Sequence, residues 1–134
     1  MEHSFRYTSK IHEIPNIRRD LDMLESSWNI PLTKMKQIRV IVEELFSNIV
    51  RFAYEDQEEH FIDLKIERKE NIIELEIIDD GIQFNPLEEG EDPARDPALA
   101  ESGGMGITLV QTFANKMSYE RIKERNHLKI EKKI

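Results

Sequence analysis

Three short stretches of this 134-residue sequence place polar or flexible residues where chemistry could be done. In VEELFSNIVRFAY (42–54), Glu44 and Asn48 stand four apart, so a carboxylate and an amide share one side of a helix. That side is a shoulder of the apolar stripe, and an amide so near the core edge needs a partner. An Asn bonded to local backbone beside a solvated Glu would satisfy the pattern without any function. In IIDDGIQFNP (77–86), Asp79 follows Ile77 at a spacing of two and should face the same way, toward the helices. A carboxylate there requires donors. An ordinary Asp-Gly turn is the plain alternative, yet the chain opens next into a long acidic loop. In SGGMGITLVQTF (102–113), Gly103, Gly104 and Gly106 permit positive φ and close backbone approach just before a helix. A helix mouth with unpaired N–H groups is a ready phosphate site. No Gly-x-x-x-x-Gly-Lys-Ser/Thr is present, so this is not a Walker loop. A glycine-rich entry to a helix remains the simpler reading.

The elements that must position these residues follow from periodicity. SFRYTS (4–9) alternates and reads as a strand. Pro15 suits a first helical turn, and Ile17, Leu21 and Leu24 recur at helical spacing from Asn16 to Trp28. Asn29-Ile30-Pro31 breaks that helix. Thr33 is the expected cap of a longer helix reaching about Tyr54, with Ile38, Ile41, Val42, Leu45, Ile49 and Phe52 as its apolar stripe. Ile62, Leu64 and Ile66, then Ile73, Leu75 and Ile77, alternate with charged residues as a hairpin with one wet and one buried face. Residues 85–103 form a proline- and acid-rich loop, of a length that is usually functional or mobile. A short helix is expected from Gly106 to about Lys116, and then two more strands. Strands on one side and helices on the other make an α+β two-layer sandwich, with 1–134 read as a single domain.

Bulk properties exclude several classes. Apolar residues make up 39% and charged residues 34%, as in a folded globular chain, and a domain of this size buries roughly two thirds of its unfolded surface. With no cysteine, disulfides, thiolate metal sites and cysteine nucleophiles are ruled out. The net charge of −8 argues against nucleic acid as a partner. Residues 55–101 are strongly acidic and 116–134 basic, which fits solvated faces or a surface shaped for a charged protein. No apolar run is long enough for a bilayer, and MEHSFRYTSK has no apolar signal core, so no membrane contact and a cytoplasmic location are expected. His3, His12, His60 and His127 are scattered without ligand spacing.

Taken in order, EELFSNIVRFAY, DDGIQFNP and GGMGITLV resemble the N, G1 and G2 boxes of the GHKL (histidine kinase-like) ATP-binding superfamily, over nearly the whole chain. They are most similar to its small stand-alone members, the anti-sigma factor serine kinases of the RsbW/SpoIIAB type. The resemblance implies the Bergerat ATP-binding fold, a mixed, mostly antiparallel sheet covered by helices on one face. It implies ATP and Mg²⁺ as cofactors. Glu44 falls on the general base and Asn48 on the Mg²⁺ ligand. Asp79 falls on the acceptor of the adenine amino group, and Gly81 on the glycine that leaves room for the base. Residues 85–103 fall on the ATP lid. Gly104 and Gly106, with backbone amides near Met105 and Ile107, fall on the phosphate cradle, and nucleotide contacts extend to Phe84, Gly103 and Thr108. Two departures stand out. Phe52 replaces a frequent His, and Ser102 stands where some kinases carry an Arg that reaches the γ-phosphate, with Arg95 as a substitute further back.

The function implied is an ATP- and Mg²⁺-dependent protein-serine kinase and anti-sigma-type regulator. It would phosphorylate a STAS-type anti-anti-sigma partner and sequester a sigma factor or other target. An ATP-gated binding module without efficient phosphotransfer is the alternative, motivated by the absent Arg. A histidine kinase would need a dimerisation helix for which 134 residues leave no room. Relatives of this type often dimerise through the sheet, so a homodimer would use SFRYTS.

Overall fold

The computed structural model describes residues 1–89 and 105–134. Strand β1 is Glu2–Thr8, followed by a 3-10 turn at Ile11–Glu13. Helices α1 (Ile14–Trp28) and α2 (Leu32–Phe52) come next, then strands β2 (Phe61–Lys69) and β3 (Ile72–Asp79). A short helix α3 (Pro86–Glu89) precedes helix α4 (Met105–Phe113), and strands β4 (Lys116–Ile122) and β5 (Arg125–Lys133) close the chain.

The strands form one sheet in the order β1-β2-β3-β5-β4. All four pairings are antiparallel, so the expected predominance of antiparallel strands is complete. Period-two alternation decides which face is covered. Ile62, Leu64 and Ile66 of β2, Ile73, Leu75 and Ile77 of β3, and Leu128 and Ile130 of β5 are all buried. They meet Ile17, Leu21 and Leu24 of α1, the stripe of α2, and Ile107 and Val110 of α4 in one core. Each such side chain contributes about 1.5–3 kcal/mol by leaving water. The opposite face carries ion pairs, among them Arg6 and Arg125 on Asp63, and a contact of the His127 ring with Glu76 at 2.9 Å.

Helix α1 has Pro15 in its first turn and ends on Asn29, which takes the left-handed conformation at φ 52° and donates its N–H to the Glu25 carbonyl. The expected cap of α2 is corrected. Pro31, not Thr33, occupies the cap position, and no side chain caps that end. The Pro31 carbonyl already accepts from the Met35 N–H at 2.9 Å, so Thr33 lies inside the first turn. Two further corrections concern the stripe. Phe52 is 44% exposed, while Met35 and Phe46 are core residues the periodicity reading left out. Phe46 packs edge-on against Tyr7 at 6.1 Å.

Helix α4 starts at Met105, one residue ahead of the expected Gly106, and lies against α2. Its last turn is held by a buried lysine. Lys132 of β5 faces the helices and donates from Nζ to the Phe113 carbonyl at 2.6 Å. A cation there satisfies an orphan carbonyl and complements the helix dipole. Burial pushes the Lys132 amine below its ordinary value, with Lys34 adding to the effect. Among the described residues no helix is long and apolar enough to cross a membrane.

Candidate functional site

The end of β3, the last turns of α2, the first turns of α4 and the β4–β5 pair line an apolar cleft. Asn48 from α2, Asp79 from β3, Phe84 from the segment after it, and Ile107 from α4 all line it. Four residues selected from three separate stretches of sequence therefore converge. The walls are mainly apolar, built by Leu45, Ile49, Ile77 and Leu128. Phe52, unexpectedly exposed as a core residue, stands at this rim.

Asn48 is only 8% exposed. No hydrogen bond engages its side chain among the described residues, so the local-backbone partner that a purely structural Asn would have is missing. Its amide atoms are not among the fully buried ones that lack a partner, and the side chain borders the cleft, where a ligand or water can reach it. Asp79 is 4% exposed and does have donors. The Gly81 N–H donates to its Oδ1 at 2.9 Å and Asn126 Nδ2 donates to the same oxygen at 3.0 Å. Its Oδ2 has no protein partner among the described residues. Burial raises the Asp79 carboxyl above the ordinary carboxylate range; the bonds from Asn126 and Gly81 pull it back, and Asp80 and Arg121 act in opposite senses.

Gly81 has a reason of its own that the sequence did not disclose. A Cβ on it would come within 2.5 Å of the Ala53 Cβ and 2.6 Å of the Ala53 carbonyl oxygen. The missing side chain lets the turn after β3 dock on the end of α2, where the Ile82 N–H donates to the Ala53 carbonyl at 2.8 Å.

Other expected residues are placed differently. Glu44 sits one turn before Asn48, half-buried, outside the lining of the cleft and without a side-chain partner among the described residues. Thr108 is exposed and does not line it. Met105 and Gly106 form the start of α4. Gly103, Gly104, Ser102, Arg95 and most of the expected lid fall in 90–104, outside the described residues.

Sequence reasoning missed the polar network behind Asp79. Asn126, 5% exposed, also donates to the Ile82 carbonyl at 2.8 Å. Its Oδ1 accepts from Tyr119 Oη and from Arg121 Nη1, the latter at 3.0 Å. Arg121 Nη1 also donates to the Gly81 carbonyl at 2.8 Å. The signal was present, because Asn126 alternates with Leu128 and Ile130 and so had to face inward. Its pairing with Asp79 across β3 and β5 was not readable. A second missed group lies beside the turn. The His60 ring stacks on Tyr54 at 4.1 Å, with Nε2 at 2.8 Å from Asp56 and Nδ1 at 3.2 Å from Asp80. The Tyr54 hydroxyl is buried without a partner among the described residues, and burial raises it well above the ordinary phenol.

A five-stranded antiparallel sheet under helices, with this cleft at the end of its central strand, can now be set beside known proteins. The profile of the histidine kinase-like ATPase domain matches residues 7–132. The chain belongs to that family. Within it, the chain is 26% identical over 91 residues to the anti-sigma F factor of Clostridium beijerinckii, covering 66% of this chain and 63% of that one. It is 29% identical over 92 residues to the serine/threonine-protein kinase BtrW of Bordetella bronchiseptica, covering 68% and 65% respectively. The match thus spans somewhat less than two thirds of these relatives. Among solved structures, the histidine kinase domain of the blue-light activated histidine kinase EL346 from Erythrobacter litoralis superposes with a TM-score of 0.58 at 16% identity, over 78% of this chain and 46% of that one. The SiaB–SiaC complex from Pseudomonas aeruginosa gives 0.53 at 11% identity, over 98% and 89%. Both likenesses concern the fold.

Proposed function

We propose that this family member binds ATP with Mg²⁺ in the cleft and transfers the γ-phosphoryl group to a serine of a small STAS-type partner protein. In the same switch it would sequester a sigma factor or another regulatory target. The observation that carries the nucleotide reading is the pair of unused polar atoms facing one cleft: the buried Asn48 amide and the Asp79 Oδ2. The names of the relatives, an anti-sigma F factor and a serine/threonine-protein kinase, support the regulatory part.

The chemistry follows from placement. Asp79 Oδ2 accepts a hydrogen bond from an exocyclic amino group, and the apolar walls receive a flat ring. The start of α4, with Met105, Gly106 and Ile107, offers backbone donors to phosphate oxygens, and Gly103, Gly104 and Thr108 would complete that cradle. Gly81 and Phe84 hold the edge of the base site. Among the described residues no three His, Asp or Glu side chains gather as a metal cage. Mg²⁺ does not need one, since it keeps water and phosphate oxygens and takes only one or two protein ligands. The free Asn48 amide fits that demand. When bound, the ion would neutralise phosphate charge. Glu44 takes the proton from the serine hydroxyl as the serine oxygen bonds to the γ-phosphorus, and the bond to the β-phosphate oxygen breaks to release ADP.

One observation favours a second reading, an ATP-gated binding module without efficient phosphotransfer. Glu44 lies outside the cleft lining and nothing among the described residues fixes its carboxylate. Incubation with labelled ATP, Mg²⁺ and a STAS-type protein of the same organism separates the two. Label on a partner serine, lost in Glu44→Gln, is the expected result. ATP binding without label selects the second reading, and no ATP binding overturns both.

A further inference from the structure

Asp79 presents one occupied and one free oxygen, and the group that decides which is which lies behind it. The orientation of the Asn126 amide is set by chemistry. On one side it meets only acceptors, Asp79 Oδ1 at 3.0 Å and the Ile82 carbonyl at 2.8 Å. On the other it meets donors, Tyr119 Oη, Arg121 Nη1 and, at 3.4 Å, the Phe84 N–H. A flipped amide would set oxygen against two oxygens and NH₂ against a guanidinium and a backbone N–H, so only one orientation satisfies all five partners. Held this way, Nδ2 joins the Gly81 N–H on Asp79 Oδ1. Swinging the carboxylate out of its plane would break both bonds. Oδ2 is therefore left as a fixed acceptor at the wall of the cleft.

We propose that Asn126, held by Tyr119 and Arg121, is the positioning residue for base selectivity, orienting Asp79 so that the cleft accepts a purine bearing an exocyclic amino group and rejects one bearing an oxygen there. This deepens the nucleotide reading above and rests on it. Asn126 acts through Asp79, so its loss weakens discrimination rather than binding as a whole. A site built to pair with a hydrogen-bonding group rejects an analogue that lacks it, but only while its own partner atom cannot turn away. Loss of the amide frees the carboxylate to rotate and admits water beside it, which can bridge to either base.

The test compares ATP with inosine triphosphate, which carries an oxygen in place of the amino group, by titration calorimetry with Mg²⁺. The parent protein should favour ATP by more than about tenfold, and Asn126→Ala should shrink that ratio by about tenfold, one charge-assisted hydrogen bond. Tyr119→Phe removes one of the donors that fix the amide and leaves the Asp79 contact in place. It should lower the ratio in the same direction by a few-fold, and it serves if Asn126→Ala fails to fold. Equal losses for both nucleotides, with the ratio unchanged in whichever variant folds, would mean that Asn126 is merely structural and would overturn the inference. A parent that binds both nucleotides alike would also overturn it. A parent that binds neither would overturn the nucleotide reading itself.

Discussion

Gly81 and Ala53 touch where the turn after β3 meets the end of α2, and the fit leaves no space for a single added carbon. The contact joins the strand that carries Asp79 to the helix that carries Asn48. Gly81→Ala should therefore do two things. It should cost about 1–3 kcal/mol, as overpacking against backbone does, because the Ala53 carbonyl cannot move aside as a flexible side chain would. It should also weaken nucleotide binding by spreading the two sides of the cleft. Adding Ala53→Gly removes the methyl clash but not the carbonyl one at 2.6 Å, so melting should recover only in part. Full recovery would show that the close approach of the carbonyl is immaterial.

Asp79→Asn should separate stability from binding. The amide oxygen can still accept from Gly81 and Asn126, so the buried bonds survive. Burial raises the Asp79 carboxyl, which means that the folded state disfavours its charge. The associated stability is fully present below the ordinary carboxylate range and is lost as pH rises through the raised value. At neutral pH the Asn variant, which carries no charge, should melt no lower than the parent, and the difference should fade in acid. ATP affinity should meanwhile fall by about tenfold to a hundredfold, since a donor replaces the free acceptor. Thermal melts from acid to neutral pH and a nucleotide titration check both halves. A clearly lower melting temperature at neutral pH would contradict the account of Asp79.

Asn48 invites a similar separation by a different route. Its side chain makes no hydrogen bond among the described residues and is 8% exposed, so Asn48→Ala removes no protein contact of that kind. Stability should stay within about 1 kcal/mol of the parent, far from the cost of breaking a buried bonded pair. Affinity for ATP with Mg²⁺ should fall at least about tenfold, the scale of a lost charge-assisted contact, while affinity in the presence of a chelator should barely change. Equal losses with and without Mg²⁺ would assign the amide to the nucleotide rather than to the ion.

These contrasts show what was legible in the sequence. The β2–β3 hairpin could be read because Ile62, Leu64, Ile66, Ile73, Leu75 and Ile77 alternate strictly, and one wet face against one buried face leaves a single register. The inward aim of Asp79 followed from the same alternation. Convergence of Asn48, Asp79 and Ile107 was legible only as a resemblance, since two helices and a strand far apart in sequence must meet. Asn126 escaped because its meaning lies in a partner 47 residues away, and no local pattern reports which strand lies next to which. Phe52 was misjudged because a helical stripe predicts a face but not where that face ceases to be covered. Thr33 was a plausible cap by residue type, yet the helix begins at Leu32, where the Pro31 carbonyl accepts its first bond from Met35.

His60 extends the account of the site to pH. Both ring nitrogens face carboxylates, Asp56 at 2.8 Å and Asp80 at 3.2 Å, while the ring lies on Tyr54. Only the doubly protonated ring can donate to both. The hydrogen bond to Asp56 first, and Asp80 with it, raise His60 above its ordinary value against some desolvation. The sign follows from linkage: the stabilisation is complete below the ordinary imidazole value and is lost as pH rises through the raised one. Asp56 and Asp80 are each about half exposed, so the effect should be small, as for solvent-screened pairs. The parent should therefore lose a little melting temperature between mildly acidic and mildly alkaline pH, and His60→Gln should lose less. Added salt should narrow that gap, because it screens exposed pairs. Because Asp80 adjoins Asp79, the same ring fastens the connector after α2 to the turn at the cleft. Protection of the Gly81 and Ile82 amides in hydrogen exchange should accordingly fall with rising pH in the parent, beyond the intrinsic rate, and not in His60→Gln. Identical pH profiles for the two proteins would remove His60 from any role at the site.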